Sequence, residues 1–168
     1  ELAVKVGVTL EFDLVTRNTG SESITIGEAL HSYFSVGDVR HIAVEGLEGC
    51  AYIDKLDSGK RKRQSGPVVF DAETDRIYLD ASAECLINDP QMQRRIRILK
   101  SGSRSTVVWN PWVDKAERMG DMGENGYLNM VCVESANAAD DVVTIAPGDE
   151  HHLQVSYRLE SIAGKRAP

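Results

Sequence analysis

The chain has 168 residues, 42% of them hydrophobic, which suits one domain, or the larger part of one, with an apolar core. Its net charge of −7 and pI near 5.1 argue against nucleic acid as the main partner, because phosphate-backbone binding depends on clustered Lys and Arg. No apolar run of membrane-spanning length occurs, and three scattered cysteines favour a reducing compartment. We therefore expect a cytoplasmic protein with no membrane or nucleic-acid partner.

Alternating apolar residues from Val4 to Leu14 predict a first strand with one buried face. A turn at 18–21 follows, and residues 23–26 are interpreted as the hairpin partner of that strand. Further strands are predicted at 28–36, 40–45, 50–54, 76–80, 83–88, 92–99, 105–109, 129–136, 141–145 and 149–160. Regular short strands separated by Gly, Asp and Asn are typical of an all-β sandwich or barrel, here as a single domain over 1–168.

One segment departs from the strand pattern. Asn110 followed by Pro111 predicts a short helix near 111–119, and the glycines at 120–126 predict a loop. The basic cluster at 60–63 is interpreted as a solvated loop or hairpin end, and His151 with His152 as an exposed turn. Neither the histidines nor the cysteines have zinc-ligand spacing, and no calcium loop is visible, so no metal site is predicted.

Two polar residues interrupt apolar strands and are the candidates for chemistry. His31 lies within 28–36, and a histidine can donate a proton near neutral pH. Glu134 lies within 129–136, where an ionised carboxylate needs a partner or a raised pKa. The structural alternatives are a core histidine bonded to a backbone carbonyl and a strand-end glutamate in solvent.

These segments carry a resemblance to a known family. Residues 29–38, 44–47, 52–55, 73–78, 108–119 and 131–136 resemble, in the same order, the aldose 1-epimerase superfamily, and most closely its hexose-6-phosphate mutarotases. The resemblance implies a galactose-mutarotase-like β-supersandwich. Family members are longer at the N-terminus, so it also implies that this chain is the C-terminal portion of a larger sandwich. The arginines that hold a phosphate would then lie outside it, and the 168-residue chain alone is expected to be poorly active.

The resemblance further implies an isomerase that interconverts the α and β anomers of a sugar. It places the catalytic residues at His31, as general acid to the ring oxygen, and Glu134, as general base to the anomeric hydroxyl. It places a substrate-binding residue at Asp75, whose structural alternative is a turn aspartate. Opening and reclosing a hemiacetal requires one acid and one base but no cofactor or metal.

Three functions remain open at this point. The leading one is a hexose-6-phosphate mutarotase (glucose-6-phosphate 1-epimerase), with a sugar or sugar phosphate as partner and a monomeric full-length protein. The others are a neutral-aldose 1-epimerase and a non-catalytic carbohydrate-binding domain, since a fold alone does not establish activity. Trp109 and Trp112 are candidates for stacking on a sugar, with core packing as the alternative, and Arg76 is a weaker candidate for contact with an anion.

Overall fold

Two packed antiparallel sheets make up most of the computed structural model, which describes residues 1–162. The strands are β1 (Leu2–Val6), β2 (Leu10–Arg17), β3 (Ile24–Ile26), β4 (Glu28–Leu30), β5 (Tyr33–Ser35), β6 (Ala43–Glu45), β7 (Ala51–Asp54), β8 (Lys60–Arg63), β9 (Thr74–Tyr78), β10 (Cys85–Asp89), β11 (Arg94–Ser101), β12 (Ser105–Asn110), β13 (Met130–Asn137), β14 (Val143–Ile145) and β15 (Glu150–Ser161). Helix α1 spans Trp112–Met119, and 3₁₀ turns span Val39–His41, Gly126–Asn129 and Ala139–Asp141. The predicted all-β sandwich with one short helix is confirmed.

The strand order shows how distant segments meet. One sheet runs β1-β2-β15-β11-β10-β6, and the other runs β4-β13-β12-β9-β7-β8, with β5 also paired to β13. A small third sheet joins β3 to β14. No helix within residues 1–162 is long and apolar enough to cross a membrane.

The core lies between the two large sheets, and strand alternation decides which side chains enter it. On β13, Val131 and Val133 are buried in the core together with Val108 of β12 and Val155 of β15. Because successive side chains of a strand point to opposite faces, the even-numbered residues of β13 lie on the outer face of the seven-stranded sheet. The odd-numbered valines of β13 therefore pack in the core, and the even-numbered side chains, including Glu134, lie on the other face of the sheet.

The first predicted strand is wrong in extent and in burial. Residues 4–14 form not one strand but the hairpin β1–β2, in which Leu2 pairs with Leu14 and Val6 with Leu10. The turn falls at Gly7, whose N–H donates to the carbonyl of Thr9 at 2.9 Å. The alternation continues unbroken through this turn, so periodicity alone does not detect it. The apolar side chains of β1 are exposed and are not a buried face.

Two other predicted strands are also corrected. The segment at 23–26 does not pair with the first strand; β3 pairs with β14, because a long-range partner replaces the local hairpin. The predicted strand 28–36 is divided into β4 and β5, with a break at His31 and Ser32. Ser32 donates its backbone N–H to the carbonyl of Leu30, which makes a tight turn and interrupts the strand.

The helix and the basic cluster lie close to where they were predicted, whereas the interpretation of the two neighbouring histidines is wrong. Helix α1 begins at Trp112, one residue after the predicted start, so Pro111 is the N-cap residue and not the first helical residue; the Asn110 side chain accepts a hydrogen bond of 2.9 Å from the N–H of Trp112. The basic cluster at 60–63 is an exposed hairpin strand, β8, paired with β7. His151 and His152 are not in an exposed turn: they lie in β15, where backbone pairing with β2 holds them.

Candidate active site

His31 lies at the break between β4 and β5, directly beside β13. Leu30 pairs with Ser135 and Tyr33 with Cys132, so the break faces the part of β13 that contains Glu134. The hydroxyl of Ser32 lies 2.5 Å from the hydroxyl of the core residue Tyr157. This contact fixes Ser32 toward the core and leaves His31 on the outer face, where 52% of its side chain is exposed.

Glu134 is buried on the outer face of β13, with 7% of its side chain exposed. Burial raises the pKa of its carboxyl group to about 7, because an ionised carboxylate loses hydration there. The negative charge of Asp75 raises this pKa further, and the positive charge of Lys55 opposes the rise. A carboxyl group that titrates near neutral pH suits proton transfer under physiological conditions.

The structure brings His31 and Glu134 together. The Nε2 atom of His31 and the Oε1 atom of Glu134 lie 3.3 Å apart. The imidazole stacks on the ring of Tyr33, with centroids 5.0 Å apart and planes at 10°, and it meets the edge of Trp109 at 6.0 Å. These two rings fix the imidazole plane beside the carboxylate, and neither structural alternative for His31 or Glu134 describes this arrangement.

A row of residues crosses the sheet next to this pair. Trp109 on β12 pairs with Cys132 on β13 and with Asp75 on β9, and Cys132 pairs with Tyr33 on β5. Lys55, just after β7, donates its backbone N–H to the carbonyl of Asp75 at 3.0 Å. Directly paired residues project from the same face of a sheet. The row therefore places five side chains on one surface, from Lys55 to Tyr33.

Asp75 is buried in this row beside two lysines. Its Oδ2 atom lies 3.0 Å from Nζ of Lys55 and 4.0 Å from Nζ of Lys115, a residue of helix α1. Lys115 also contacts Glu73 at 3.1 Å and lies 5.6 Å from the centre of the Trp109 ring. The site thus holds carboxylates and cations side by side, an arrangement that can accept and donate hydrogen bonds to hydroxyl groups.

The aromatic and arginine candidates have structural surroundings. Trp109 is 8% exposed and packs with Met130 and Cys132 beneath the site, so it supports the imidazole as part of a small apolar cluster. Trp112 packs against the main core. Arg76 lies over the ring of Tyr52 at 5.0 Å, on the opposite face of β9 from Asp75. It does not join the site.

Sequence reasoning missed four residues of this surface: Tyr33, Lys55, Lys115 and Cys132. Two of them carry a signal in the sequence, since Tyr33 follows His31 by two positions and Cys132 precedes Glu134 by two, which is the spacing of one strand face. The two lysines have no such signal. They reach Asp75 only through the order β7-β9-β12 and the position of helix α1.

A histidine and a buried carboxylate lie side by side on the outer face of this β-sandwich. The family model described as aldose 1-epimerase matches residues 1–158, so the chain belongs to the aldose 1-epimerase family. The family resemblance drawn from the sequence is confirmed.

Curated relatives of this chain share one name. A protein of Cenchrus ciliaris is 37% identical over 154 residues, covering 89% of this chain and 46% of the relative. A protein of Escherichia coli K12 is 38% identical over 156 residues, covering 92% of this chain and 51% of the relative. Both are called "Putative glucose-6-phosphate 1-epimerase". The chain spans about half the length of these relatives.

Solved structures agree with the fold. A Salmonella typhimurium protein described as a "putative mutarotase" is 31% identical with a TM-score of 0.85, covering 95% of this chain and 52% of that one. A "galactose mutarotase-like protein" from Clostridium acetobutylicum, 14% identical, has a TM-score of 0.70 and covers 95% and 55%. The predicted galactose-mutarotase-like fold is confirmed.

Proposed function

We propose that this chain supplies the acid–base pair of a mutarotase, an enzyme that interconverts the α and β anomers of a sugar. The observation that carries the proposal is the 3.3 Å separation between His31 Nε2 and Glu134 Oε1 on one open face of the sheet. Membership of the aldose 1-epimerase family supports it. So does the pKa of Glu134, which burial raises to about 7.

In the proposed reaction, Glu134 removes the proton of the anomeric hydroxyl while His31 donates a proton to the ring oxygen. The bond between the anomeric carbon and the ring oxygen breaks, and an open-chain aldehyde forms. Rotation about the bond between the first two carbons exposes the other face of the aldehyde, and reclosure reverses both proton transfers. The two oxygens share one carbon and are close together, so an acid and a base 3.3 Å apart reach both.

Asp75 is proposed to bind the sugar and to orient its anomeric centre toward His31 and Glu134. Its carboxylate accepts hydrogen bonds from sugar hydroxyls with charge-assisted strength. The ammonium group of Lys55 lies 3.0 Å from this carboxylate and helps to fix its position. Tyr33, with 56% of its surface exposed beside the imidazole, offers an aromatic face against which a sugar ring can pack.

For the substrate, we propose a hexose 6-phosphate. The names of the relatives at 37% and 38% identity support this choice. Lys55 and Lys115 lie at this site, but each is paired with a carboxylate, so the choice of a phosphorylated sugar rests on the names of the relatives. The arginines that the family resemblance implies for phosphate binding would come from the part of the longer relatives that this chain does not span.

Exchange NMR on glucose 6-phosphate and on glucose tests both levels of the proposal. We expect a full-length protein that includes the N-terminal part implied by the resemblance to accelerate interconversion of the phosphorylated anomers, and His31→Asn in that protein to reduce the rate by about a hundredfold or more. The matched control is His152→Asn, since His152 also pairs with carboxylates but lies on β15 away from the site. Equal rates for His31→Asn and wild type contradict the acid role, whereas equal acceleration of both sugars contradicts only the phosphate preference.

A further inference from the structure

Cys132 is a buried thiol in the wall of the candidate site, and the proposed reaction does not use it. It lies two residues before Glu134 on the same face of β13 and opposite Tyr33 on β5. Three chemically different groups that bind metals therefore meet at one place: an imidazole, a thiol and a carboxylate.

We propose that His31, Cys132 and Glu134 form a binding site for a thiophilic divalent cation of the Zn²⁺ or Cd²⁺ class, and that this cation and the sugar exclude each other. The Nε2, Sγ and carboxylate oxygen atoms of the three residues all lie within 4.8 Å of one another. The cation is an inhibitor of the acid–base pair and takes no part in the reaction.

The distances fit such an ion with a small adjustment. Zn–N and Zn–O bonds of about 2.0–2.2 Å at a tetrahedral angle place two ligand atoms roughly 3.4 Å apart. The observed separation of His31 Nε2 from Glu134 Oε1 is 3.3 Å. The Sγ atom of Cys132 lies within 4.8 Å of both of these atoms, so bringing all three to metal-bonding distance requires the side chains to approach one another by about 1 Å.

The ligand types and their charges select the class of ion. Nitrogen and sulfur ligands favour Zn²⁺ and Cd²⁺ over Mg²⁺ or Ca²⁺, which prefer oxygen. A thiolate and a carboxylate carry two negative charges, which match a divalent cation. Binding displaces the thiol proton, which passes to the buffer. Three protein ligands leave a fourth position open on the solvent side, where a water molecule completes the coordination.

Calorimetric titration with CdCl₂ tests the site without reference to activity. We expect one Cd²⁺ per chain, a thiolate-to-metal charge-transfer band in the ultraviolet, and no comparable heat with MgCl₂. Cys132→Ser should weaken binding at least about tenfold and abolish the band. His31→Ala, a change at a half-exposed side chain that the fold tolerates, should weaken binding by a similar factor.

The control is Cys50→Ser, because Cys50 is the most accessible of the three thiols and would take up Cd²⁺ first if binding were adventitious. Unchanged affinity in Cys50→Ser together with the losses above supports the site. Loss of the band in Cys50→Ser, or full affinity in either Cys132→Ser or His31→Ala, overturns it.

Mutual exclusion rests on the proposed function and is tested separately. Increasing concentrations of glucose 6-phosphate should progressively lower the apparent affinity for Cd²⁺. Cadmium binding that is indifferent to a sugar phosphate known from NMR to bind would contradict the shared site. Failure of the sugar phosphate to bind at all, with Cd²⁺ binding intact, would instead contradict the proposed substrate.

Discussion

Two histidine–carboxylate pairs in this protein behave in opposite ways. His31 and Glu134 lie 3.3 Å apart on the outer face of the seven-stranded sheet, and the pKa of Glu134 is raised to about 7. His152 lies 3.1 Å from Glu150 on the exposed side of β15, and the pKa of Glu150 is lowered. The residue types and distances are nearly the same, so distance alone does not set the protonation of the carboxyl group.

Burial and the surrounding charges account for the difference. Glu134 is nearly enclosed and has Asp75 as a neighbour, so its charged form is disfavoured. Glu150 is solvated and accepts hydrogen bonds first from Arg17 and then from His152, so its charged form is favoured. Burial and a neighbouring negative charge suit one partner of a pair to proton transfer, whereas a solvated pair on the surface remains an ordinary ion pair.

The largest expected effect is on catalysis. Glu134→Gln should reduce anomer interconversion by about two or more orders of magnitude, because the general base is lost. Glu150→Gln removes a carboxylate from the other pair and should leave the rate near that of wild type. Polarimetry on a freshly dissolved single anomer measures both. A near-normal rate in Glu134→Gln would remove the base assignment.

Glu134→Gln should also stabilise the fold. Because the pKa of Glu134 is raised from 4.5 to about 7 on folding, wild-type stability falls as pH rises through that window and stays low above it. We expect Glu134→Gln to raise the free energy of unfolding by about 2–3 kcal/mol near pH 8 and by much less near pH 5.

Urea denaturation at the two pH values measures this difference. Glu150→Gln should act in the opposite direction, because the lowered pKa of Glu150 means that its ionised form stabilises the folded state above its unfolded pKa. A gain in stability that is the same at both pH values would show that burial of the charge is not its cause.

Asp75→Asn is expected to act on binding. The amide keeps the shape but loses the charge of the acceptor, so KM should rise by about tenfold with a smaller change in kcat. Asp13→Asn, which removes a carboxylate from the surface pair around His152, is the control and should change neither. Steady-state kinetics separates the two parameters, and a selective loss of kcat in Asp75→Asn would assign Asp75 to the chemical step.

The smallest expected effect concerns pH. The base must be ionised, so the rate should rise with pH through about 7, the pKa of Glu134. Lys55→Met removes the positive charge that lowers this pKa, and the rising limb of the profile should move to higher pH. Lys60→Met, at an exposed lysine of β8, should leave the limb in place. A Lys55→Met profile that superimposes on wild type would contradict the electrostatic link.

The sequence predicts the strands better than their partners. Alternation and turn residues identify most strands within a few positions, because they report local burial. They miss the turn at Gly7, since Val6, Val8 and Leu10 keep the same period on both sides of it. They also assign β3 to the wrong partner, because pairing with β14 is decided by sheet packing over more than a hundred residues.

Some residues of the candidate site can be identified from the sequence, and others only from the fold. His31 and Glu134 are identifiable because each is a polar residue in an apolar strand, and a polar group in such a place is costly unless it has a purpose or a partner. Lys55 and Lys115 are ordinary surface lysines in the sequence. Their place beside Asp75 depends on the order of β7, β9 and β12 and on where helix α1 packs, which local patterns do not encode.

Strand β1 has a consequence for how this chain behaves in concentrated solution. It is the edge of its sheet, and its apolar side chains are open, with Val6 81% exposed and, in the turn beyond it, Val8 97% exposed. An open edge with an apolar face adds strands from other molecules. We expect light scattering from the 168-residue chain to rise steeply with protein concentration, and Val6→Lys, which places a charge on that edge, to suppress the rise.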